Sequence, residues 1–442
     1  MFRSLTRDQR NTFIACFLGW ALDAFDFFLL TFVIVPMAHD FSVSVAQLSY
    51  AITLTLAMRP LGAFIFGLLG DRFGRRIPLM IDIIFYSIME LSTAFAPNYT
   101  VLLIFRALYG IGMGGEWGLG ASLAMEALPT ASRGLFSGIL QQGYAFGYLL
   151  AAVVYWIVFP FFGWRGLFVA GALPAALVIF MRAKVPESPA WLRTRHPKGF
   201  WKTVMVELAL PSVLLLLIVF FAFVQKYYFA AAASLFVGVI LAIVLKPKHW
   251  ALFAYVIVLM TAFNAMSHGT QDMYQTFLGE QRGLNVSQKS VIGIIYAVGA
   301  LCGGTILGFM SQRLGRRRSI VAAAIFGIVL IPLWAFSPML VLLVIGGFGM
   351  QFMVQGAWGI VPIHLNELSP GELRGTFPGF AYQLGNLFAA NTAVIEAKLA
   401  ERFRDASGHP NYAKALALFA LVIFVSLIIV AAFGPEKRGK EF

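Results

Sequence analysis

The sequence Gly67-Leu-Leu-Gly-Asp-Arg-Phe-Gly-Arg-Arg76 recurs, with changes, as Gly308-Phe-Met-Ser-Gln-Arg-Leu-Gly-Arg-Arg317. A second motif, Glu126-x-x-Pro-x-x-x-Arg133-Gly, recurs as Glu367-x-x-Pro-x-x-x-Arg374-Gly. Both repeats have the same offset of 241 residues. Two independent motifs that share one offset indicate a duplicated chain whose halves have the same orientation, related by an axis along the membrane normal.

The composition predicts a polytopic helical membrane protein. Hydrophobic residues make up 60% of the 442 residues, charged residues make up 12%, and the mean hydropathy is +0.82. Soluble domains contain about 25% charged residues. Apolar stretches of about 20 residues, the length that crosses a bilayer as a helix, run almost from end to end and are too long for the strands of a barrel. We predict fourteen membrane helices at approximately 12–35, 48–69, 77–95, 100–127, 135–160, 164–182, 204–224, 228–245, 251–278, 287–310, 319–336, 338–366, 376–398 and 412–433.

The distribution of lysine and arginine predicts the topology. An even number of crossings places both termini on one side, and most of the basic residues flank the helices on that side, which the positive-inside rule makes cytoplasmic. We therefore expect a multi-pass protein of the inner (plasma) membrane with both termini in the cytoplasm. This topology accounts for the net charge of +13, which we do not take as a sign of nucleic-acid binding.

The repeat also predicts the domain organisation, with six helices in each half. We expect an N-terminal six-helix bundle at 1–186 and a C-terminal six-helix bundle at 250–442. The central linker at 187–249 would carry two inserted transmembrane helices. An inserted pair adds two crossings, so it leaves the orientation of the second half unchanged.

The chain resembles the major facilitator superfamily over essentially its whole length. The loop at 70–76 is similar to the best-known signature of that superfamily, and Pro186-Glu-Ser-Pro-Ala-Trp-Leu192 resembles a motif of its sugar-transporter branch. The resemblance implies an all-α membrane protein with the major facilitator superfamily fold. Its two six-helix bundles would be related by a pseudo-two-fold axis along the membrane normal, here with two extra helices between the halves.

Asp71 and the arginines of the repeated motifs are candidate gating residues. Asp71 can pair with an arginine or with a helix N-terminus across the bundle. Such pairs would hold the cytoplasmic side closed in one state and break in the other. The second half has Gln312 in place of Asp71, which weakens a symmetrical version of this lock. The predicted gating residues are Asp71, Arg72, Arg75, Arg76, Arg133, Arg316 and Arg374.

A polar stripe interrupts an apolar segment at Asn264-Ala-Met-Ser-His-Gly-Thr-Gln-Asp-Met-Tyr-Gln-Thr276. Ionisable and amide groups are costly inside a membrane, so the stripe is a candidate functional site. Asn264, His268 and Gln271 share one helical face, and Asp272 lies one turn beyond His268. An imidazole next to a carboxylate is a coupled pair whose protonation changes near neutral pH. The alternative is that His268 and Asp272 bond only to each other and join two helices.

The stripe is similar to the signature of the Jen family of lactate and pyruvate proton symporters at every specified position. The inserted helix pair and Leu22-Asp-Ala-Phe-Asp-Phe27 instead resemble the sialic acid:proton symporters, which have fourteen helices. These resemblances imply a carboxylate:proton symporter. They also mark as substrate-contacting an arginine in the second helix and a Gln-x-x-Asn pair in the penultimate helix, here Arg59, Gln383 and Asn386.

Arg59 is the candidate anion-binding residue, because a guanidinium presents a planar fork that suits a carboxylate. The alternative is an internal ion pair with Asp23 or Asp26, which the substrate would displace. Gln141 and Gln142 are candidate further donors, with hydrogen bonding between helices as the alternative. The predicted substrate-binding residues are Arg59, Gln141, Gln142, Asn264, His268, Gln271, Gln383 and Asn386.

Proton coupling would use a histidine and four carboxyl groups. The candidates are His268, Asp272, Asp23, Asp26 and Glu116; for Glu116 the alternative is a permanent charge held by an arginine or a backbone partner. We expect a secondary active transporter that imports small monocarboxylates of the lactate and pyruvate type by proton symport through alternating access. Moving an anion into a negative-inside cell opposes the field by ~2.3 kcal/mol per 100 mV, and one proton cancels that cost.

Three other functions stay open. A sialic acid:proton symporter would use the same chemistry, a sugar or polyol facilitator would not need Arg59 or the histidine pair, and a non-transporting sensor usually needs an appended signalling domain. The sequence has no phosphate-binding loop, metal-ligand cluster or nucleophile triad in a credible context, so we expect no enzyme activity, metal or cofactor. The expected partners are a small organic anion, a proton and the lipid bilayer, and we expect a monomer.

Overall fold

The structure is a computed structural model that describes residues 5–193, 199–221, 228–404 and 408–441. Every regular element in these ranges is helical. The helices of the N-terminal half are α1 (Arg7–Phe32), α2 (Ile34–Asp40), α3 (Val45–Phe73), α4 (Arg76–Ala94), α5 (Tyr99–Ala127), α6 (Arg133–Gln141), α7 (Gly143–Ala170), α8 (Pro174–Lys184) and α9 (Pro189–Arg193).

The described residues between α9 and α13, which we call the insertion, contain α10 (Phe200–Val204), α11 (Leu210–Val219) and α12 (Tyr228–Leu245). The C-terminal half follows. The C-terminal half contains α13 (Trp250–Gln271), α14 (Tyr274–Thr276), α15 (Val286–Leu314), α16 (Arg316–Ile331), α17 (Leu340–Trp358), α18 (Val361–Leu368), α19 (Phe377–Ala389), α20 (Thr392–Arg402) and α21 (Tyr412–Phe433). Short π-helical segments lie at Met205–Ala209, Phe277–Gln281 and Pro332–Phe336, and 3-10 turns lie at Thr130–Ser132 and Gly371–Leu373.

Reciprocal caps start α3 and α15, the corresponding helices of the two halves. The Ser44 side chain accepts a hydrogen bond from the backbone of Gln47, whose side chain bonds back to the Ser44 backbone. Asn285 and Gln288 make the same pair of bonds. Each capping box satisfies backbone N–H groups that a helix start leaves unpaired. Positions 44 and 285 are again 241 residues apart, so the duplication extends to the way these helices begin.

α7 contains a break at a predicted helix boundary. The sequence predicts one helix at 135–160 and another at 164–182, and Gly163, inside this gap, has a non-helical backbone with a φ of 60°. Glycine adopts this conformation without steric cost, so the chain kinks there and the next residues remain helical. The additional break between α6 and α7 after Gln141 was not predicted.

Each half is a helical bundle, and in the N-terminal half α5 is strongly buried. α5 packs against α1, α3 and α4 in the N-terminal half and buries nearly all of its length after Tyr109. α7 packs on α1. In the C-terminal half α15 packs against α17, α13 against α19, and α16 against α21. Both halves therefore bury their polar positions between helices, where these positions can bond to one another.

The two halves meet where α3 and α5 pack on α19 and where α6 packs on α15. Glycines allow this close approach. A Cβ atom added to Gly118 would lie 2.9 Å from the Cα atom of Gly379, and one added to Gly138 would lie 2.3 Å from the carbonyl oxygen of Gly304. Larger side chains at these positions would force the halves apart, because small residues are what permit such helix contacts.

The insertion is joined to the beginning of α13. The carboxylate of Glu207 accepts hydrogen bonds from the N–H groups of Lys248 at 2.7 Å and His249 at 2.8 Å. The indole N–H of Trp250 donates to the carbonyl of Val206 at 2.5 Å. α11 and α12 also pack against each other. The insertion is thus fastened at its base to the C-terminal half.

Ten helical stretches in the described ranges are long and apolar enough to cross a membrane, and Ala232–Leu245 is a shorter apolar helix. The predicted crossing at 100–127 corresponds to α5, which is not among the ten. Its buried residues include Arg106, Glu116 and Glu126. The number of fourteen crossings therefore stays a prediction.

Candidate functional site

Asp71 joins the two halves at one end of the bundle. We call this end the loop face, defined by residues 70–76, 128–134, 311–317 and 367–376. The Asp71 carboxylate accepts hydrogen bonds from the N–H of Gly375 at 2.7 Å, the N–H of Thr376 at 3.0 Å and the hydroxyl of Thr376 at 2.6 Å. Arg75 donates to the same carboxylate at 2.8 Å, and Arg72 is half-buried beside it. Asp71 thus bonds both an arginine and the start of α19 across the bundle.

Glu126 brings arginines of both halves together at the loop face. Its carboxylate lies 3.3 Å from Arg75 Nη2 and 3.6 Å from Arg374 Nη1. The hydroxyl of Ser188 also donates to it. The hydroxyl of Ser122 donates to the carbonyl of Arg374 at 2.7 Å. These buried, mutually neutralising groups join the two halves at the loop face.

The second repeat makes a related set of bonds with an amide in place of the carboxylate. Arg316 bonds to Glu367, with 3.0 Å between Nε and Oε2. Gln312 accepts a hydrogen bond from Arg316 at 2.7 Å and donates one to the carbonyl of Thr130 at 3.0 Å. Because an amide both donates and accepts, Gln312 can bridge the halves without a charge. Glutamine at position 312, in place of an aspartate, therefore weakens the contact between the halves less than the sequence suggests.

Two glutamates outside the repeated motifs cap the helices that follow the loops. Glu187 accepts hydrogen bonds from the N–H groups of Arg75 at 2.9 Å and Arg76 at 3.2 Å. Glu436 accepts one from the N–H of Arg316 at 2.6 Å. Each glutamate follows a proline, so this is a third repeated feature. The sequence comparison at an offset of 241 does not reveal it, because these two glutamates are 249 residues apart.

The C-terminal tail packs across the loop face. Arg133 Nη1 in the N-terminal half donates to the carbonyl of Lys440 at 2.8 Å, and Lys440 Nζ donates to the carbonyl of Ser369 at 3.1 Å. Burial, together with the nearby charges of Arg374 and Lys437, lowers the pKa of Lys440 to about 8. Arg133 thereby links its half to the tail of the other.

Arg59 lies buried on α3, with only 3% of its surface exposed. Its Nε and Nη2 atoms have no hydrogen-bond partner among the described residues, and the carboxyl oxygens of Asp23 and Asp26 likewise have none there. The guanidinium carbon lies 6.0 Å from the centre of the Tyr382 ring on α19. The resident ion pair considered as the alternative is therefore not formed in this conformation. Two donors remain available at the boundary between the halves.

Aromatic side chains form a wall next to Arg59. The Tyr382 ring lies 4.8 Å from that of Trp117 and 5.6 Å from that of Trp358. The indole N–H of Trp117 donates to Gln141 at 3.3 Å, so Gln141 orients an aromatic residue. Rings exclude water and strengthen the interaction between a guanidinium and an anion. The sequence did not indicate this wall, although Tyr382 directly precedes Gln383.

His268 faces oxygen atoms with both of its ring nitrogens. Nδ1 lies 3.0 Å from Asp272 Oδ2, and Nε2 lies 3.3 Å from Asn386 Oδ1. The side chains of His268 and Asp272 are 37% and 39% exposed. Arg59 of the N-terminal half contributes to the electrostatic environment of His268. An imidazole between two acceptors is arranged to hold a proton on each nitrogen.

The helix that carries the stripe is interrupted, contrary to the continuous helix predicted at 251–278. α13 ends at Gln271, and Asp272 and Met273 separate it from α14. Gln271 donates to Gln351 on α17 at 3.0 Å. Asn264 donates to the carbonyl of Met260 in its own helix at 2.8 Å. The polar stripe therefore has two parts. His268 and Asp272 are accessible, whereas the Asn264 amide is buried and bonded to the backbone of its own helix.

Two of the predicted amides have buried atoms without partners in the described part of the chain. Neither the oxygen nor the nitrogen of the Gln383 amide is hydrogen bonded, and Nε2 of Gln142 is unbonded as well. Gln142 lies against the backbone of α15 at Gly304. Gln383 directly follows Tyr382 on α19, and its buried amide has both a donor and an acceptor without a partner in the described ranges.

α1, α4 and α5 enclose a cluster of fully buried acidic side chains. Its members are Asp23, Asp26, Asp82, Glu90 and Glu116. Glu90 is ion-paired with Arg106 at 2.5 Å, whereas the other four carboxyl groups have no hydrogen-bond partner in the described ranges. Lone carboxylates are too costly to bury, so these groups carry protons. Asp82 and Glu90 were not predicted, because single acids within α4 form no pattern in the sequence.

Comparison with known proteins identifies the family. Residues 11–199 and 241–436 match the family model described as "Sugar (and other) transporter". The chain belongs to this family. The carboxylic acid transporter protein homolog of Saccharomyces cerevisiae is 31% identical over 450 residues, covering 99% of this chain and 70% of the relative. The sialic acid transporter NanX of Escherichia coli is 24% identical over 443 residues, covering 100% of this chain and 97% of the relative.

A solved structure of the major facilitator superfamily has the same fold as this family member. The proton:xylose symporter XylE superposes with a TM-score of 0.71 at 17% identity, covering 98% of this chain and 97% of that one. The prediction of an all-helical major facilitator superfamily fold is confirmed. The protein is thus a multi-pass membrane protein of a transporter family.

Proposed function

We propose that the protein imports small monocarboxylates of the lactate and pyruvate type together with protons, by alternating access. The observation that carries this proposal is the guanidinium of Arg59, whose Nε and Nη2 have no partner among the described residues. Its planar fork fits the two oxygens of one carboxylate. A substrate carboxylate there would satisfy buried donors that otherwise cost about 1–3 kcal/mol each.

The surroundings of Arg59 favour a small acid. Tyr382 and its aromatic neighbours would cover the apolar part of the substrate. The amide of Gln383, unbonded among the described residues, and Asn386 of the same helix would bond a hydroxyl or keto oxygen. A sugar or polyol would not need the guanidinium. The acids named for the relatives from Saccharomyces cerevisiae and Escherichia coli support an anionic substrate.

The proposed cycle starts from the conformation of this structure, with the loop face closed and His268 and Asp272 accessible. The pair takes up a proton, and the acid binds between Arg59 and α19. Binding must favour a state in which the bonds of Asp71 to Thr376 break, so that the halves rock and open the loop face. The acid and the proton then leave on that side. Asp23, Asp26 and Glu116 would hold further protons in the N-terminal half.

We also propose the membrane arrangement. Fourteen helices would cross the inner (plasma) membrane, with both termini and the loop face in the cytoplasm, and the protein would act as a monomer. The concentration of arginines at the loop face supports this orientation. The gating residues would then work on the cytoplasmic side, where Asp71, Arg75 and Arg374 connect the halves.

Uptake into proteoliposomes tests the function. We expect labelled lactate or pyruvate to accumulate when the outside is acidic and to equilibrate without accumulation when the pH is equal. One proton per monovalent anion allows about tenfold accumulation for each pH unit. His268→Ala should fold normally and lose this accumulation. The same assay with labelled sialic acid and labelled xylose identifies the substrate. Accumulation of sialic acid alone, driven by the pH gradient, would replace lactate and pyruvate as the proposed substrates. Uptake of xylose that does not depend on pH would contradict symport of an acid.

A further inference from the structure

Glu396 is a fully buried acid that lies outside every motif of the sequence. It belongs to α20, which packs against α13 and α21. Its exposed surface is 0%. No described residue is hydrogen bonded to either of its carboxyl oxygens. An acid in this position does not stabilise the fold, so its presence needs another reason.

The carboxyl group of Glu396 lies against the helix that carries the histidine pair. A Cβ atom added to Gly269 would stand 3.3 Å from Glu396 Oε1, and it would clash with the ring of Phe419 at 2.4 Å. Gly269 directly follows His268 and precedes Asp272 by three residues. The missing side chain at Gly269 leaves room for the Phe419 ring and for the Glu396 carboxyl group against the backbone between His268 and Asp272.

The groups around Glu396 decide its charge. His268 lies on α13 and Asp272 directly follows its last residue, and Asp272 interacts electrostatically with Glu396. Tyr296 faces it from α15, but its hydroxyl donates to the carbonyl of Thr270 at 2.6 Å. Phe419 faces it from α21. A second negative charge beside Asp272, without a hydrogen bond, would be strongly disfavoured. Glu396 is therefore protonated in this conformation.

We propose that Glu396 is a further proton-binding group of the transport cycle, which exchanges a proton with the His268–Asp272 pair. In this conformation the proton is bound to Glu396, and the accessible pair equilibrates with the outside solution. In the outward conformation the pair takes a proton from outside and passes it to Glu396, which leaves the pair free to accept a proton again. When the halves rock, the O–H bond of Glu396 breaks, and the same proton passes to Asp272 or His268 and leaves on the loop-face side. Glu396 is reprotonated through the pair from outside after the halves return, so one proton moves in each cycle. This inference rests on the proposed function and adds a carboxyl group to its proton site.

Glu396→Gln tests the proposal, because glutamine has the shape of the protonated acid but cannot release a proton. We expect counterflow of labelled substrate at equal pH to stay within about twofold of the wild type, because counterflow needs no net proton movement. Accumulation driven by a pH gradient should fall from about tenfold per pH unit to about onefold. Glu401→Gln, an exposed acid on the same helix, is the matched control and should behave as the wild type.

The outcomes separate this inference from the proposed function. If the wild type shows pH-driven accumulation and Glu396→Gln accumulates equally with the same pH profile, Glu396 carries no proton and only the inference fails. If the wild type itself shows no pH dependence, the proposed symport fails. Should Glu396→Gln not fold, Glu396→Asp decides: pH-driven accumulation with a shifted pH profile supports the proposal, and an unshifted profile overturns it.

Discussion

The carboxylate of Asp71 in the N-terminal half accepts a 2.6 Å hydrogen bond from the hydroxyl of Thr376 in the C-terminal half. Two backbone N–H groups of the same turn donate to it as well. Hydrogen bonds to charged groups contribute about 1.5–3 kcal/mol each. Opening the loop face must break all three, so the free energy of substrate binding has to offset them. In the proposed cycle, this buried acid therefore sets much of the balance between the closed and open conformations.

Asp71→Asn should populate a conformation with an open loop face. An amide has one acceptor atom, so at least one of the three bonds between the halves is lost. A loss of about 1.5 kcal/mol changes the ratio of closed to open molecules by roughly tenfold. Spin labels on cysteines at the exposed positions Ala131 and Glu372, with Cys16 and Cys302 replaced by serine, would report the change as a longer distance.

The control for this experiment is Asp8→Asn, which alters an exposed acid in the first turn of α1. Its distance distribution should match that of the unmodified protein. An unchanged distribution in Asp71→Asn would mean that the bonds to Gly375 and Thr376 do not hold the loop face closed.

Gly118→Ala should destabilise the closed loop face by a steric route. The added Cβ atom would lie 2.9 Å from the Cα atom of Gly379, so α5 and α19 must separate. Overpacking of this kind costs about 1–3 kcal/mol. We expect faster hydrogen–deuterium exchange of the N–H groups of Gly375 and Thr376. Gly371→Ala is the control, because the position has open space around it, and it should leave the exchange rates unchanged. Equal exchange rates in the two variants would show that the contact between Gly118 and Gly379 does not control opening of the loop face.

Arg59→Lys should weaken substrate binding more than it slows transport. Lysine keeps the positive charge but loses the fork, so one of two charge-assisted bonds is lost, worth about 1.5–3 kcal/mol. The KM should rise by about 10–150-fold, since each 1.4 kcal/mol is tenfold. Initial rates of uptake at equal pH measure it. Arg165→Lys, at a half-exposed arginine paired with Asp40 far from the site, should keep the KM unchanged. The same KM in Arg59→Lys would place the anion elsewhere.

Gln383→Met should raise the melting temperature while it lowers affinity. The amide of Gln383 is buried without a described partner, and such a group costs about 1–3 kcal/mol that a thioether side chain of similar size does not. Gln351→Met is the matched comparison, because Gln351 bonds to Gln271 and its loss should lower the melting temperature. Thermal unfolding without and with substrate measures both effects. A lower melting temperature for Gln383→Met would show that the amide has a structural partner.

The sequence predicted the class of fold, whereas the gating role of Asp71 and the arginines stays a prediction. The repeat at 241 residues is confirmed by the corresponding caps at Ser44 and Asn285. The pairing of Asp71 with Arg75 is predictable because the two residues are four positions apart in one basic turn. The bonds of Asp71 to Gly375 and Thr376 join distant parts of the chain, and the sequence predicted a helix start across the bundle only as one alternative.

Long-range features were not predictable from the pattern. Gln312 keeps a bridge between the halves through a carbonyl of Thr130, which no spacing reveals. The break of the helix at Asp272 and the approach of Glu396 to Gly269 depend on packing between distant helices. Glu90 and Arg106 form an ion pair across two helices whose residues look isolated in the sequence. Such contacts depend on the angles and positions at which the helices cross. Hydrophobic periodicity indicates which face of a helix is buried but does not predict this crossing geometry.

The position of the insertion suggests where the polypeptide can be divided. Trp191 donates a hydrogen bond to the carbonyl of Asp71 and so belongs with the N-terminal half. Glu207 accepts hydrogen bonds from Lys248 and His249 at the beginning of the C-terminal half. A cut between Trp191 and Glu207 would leave each of these bonds within a single fragment. Two co-expressed fragments would each keep their own helix caps, and the carboxylate of Asp71 would supply the recognition that reassembles them.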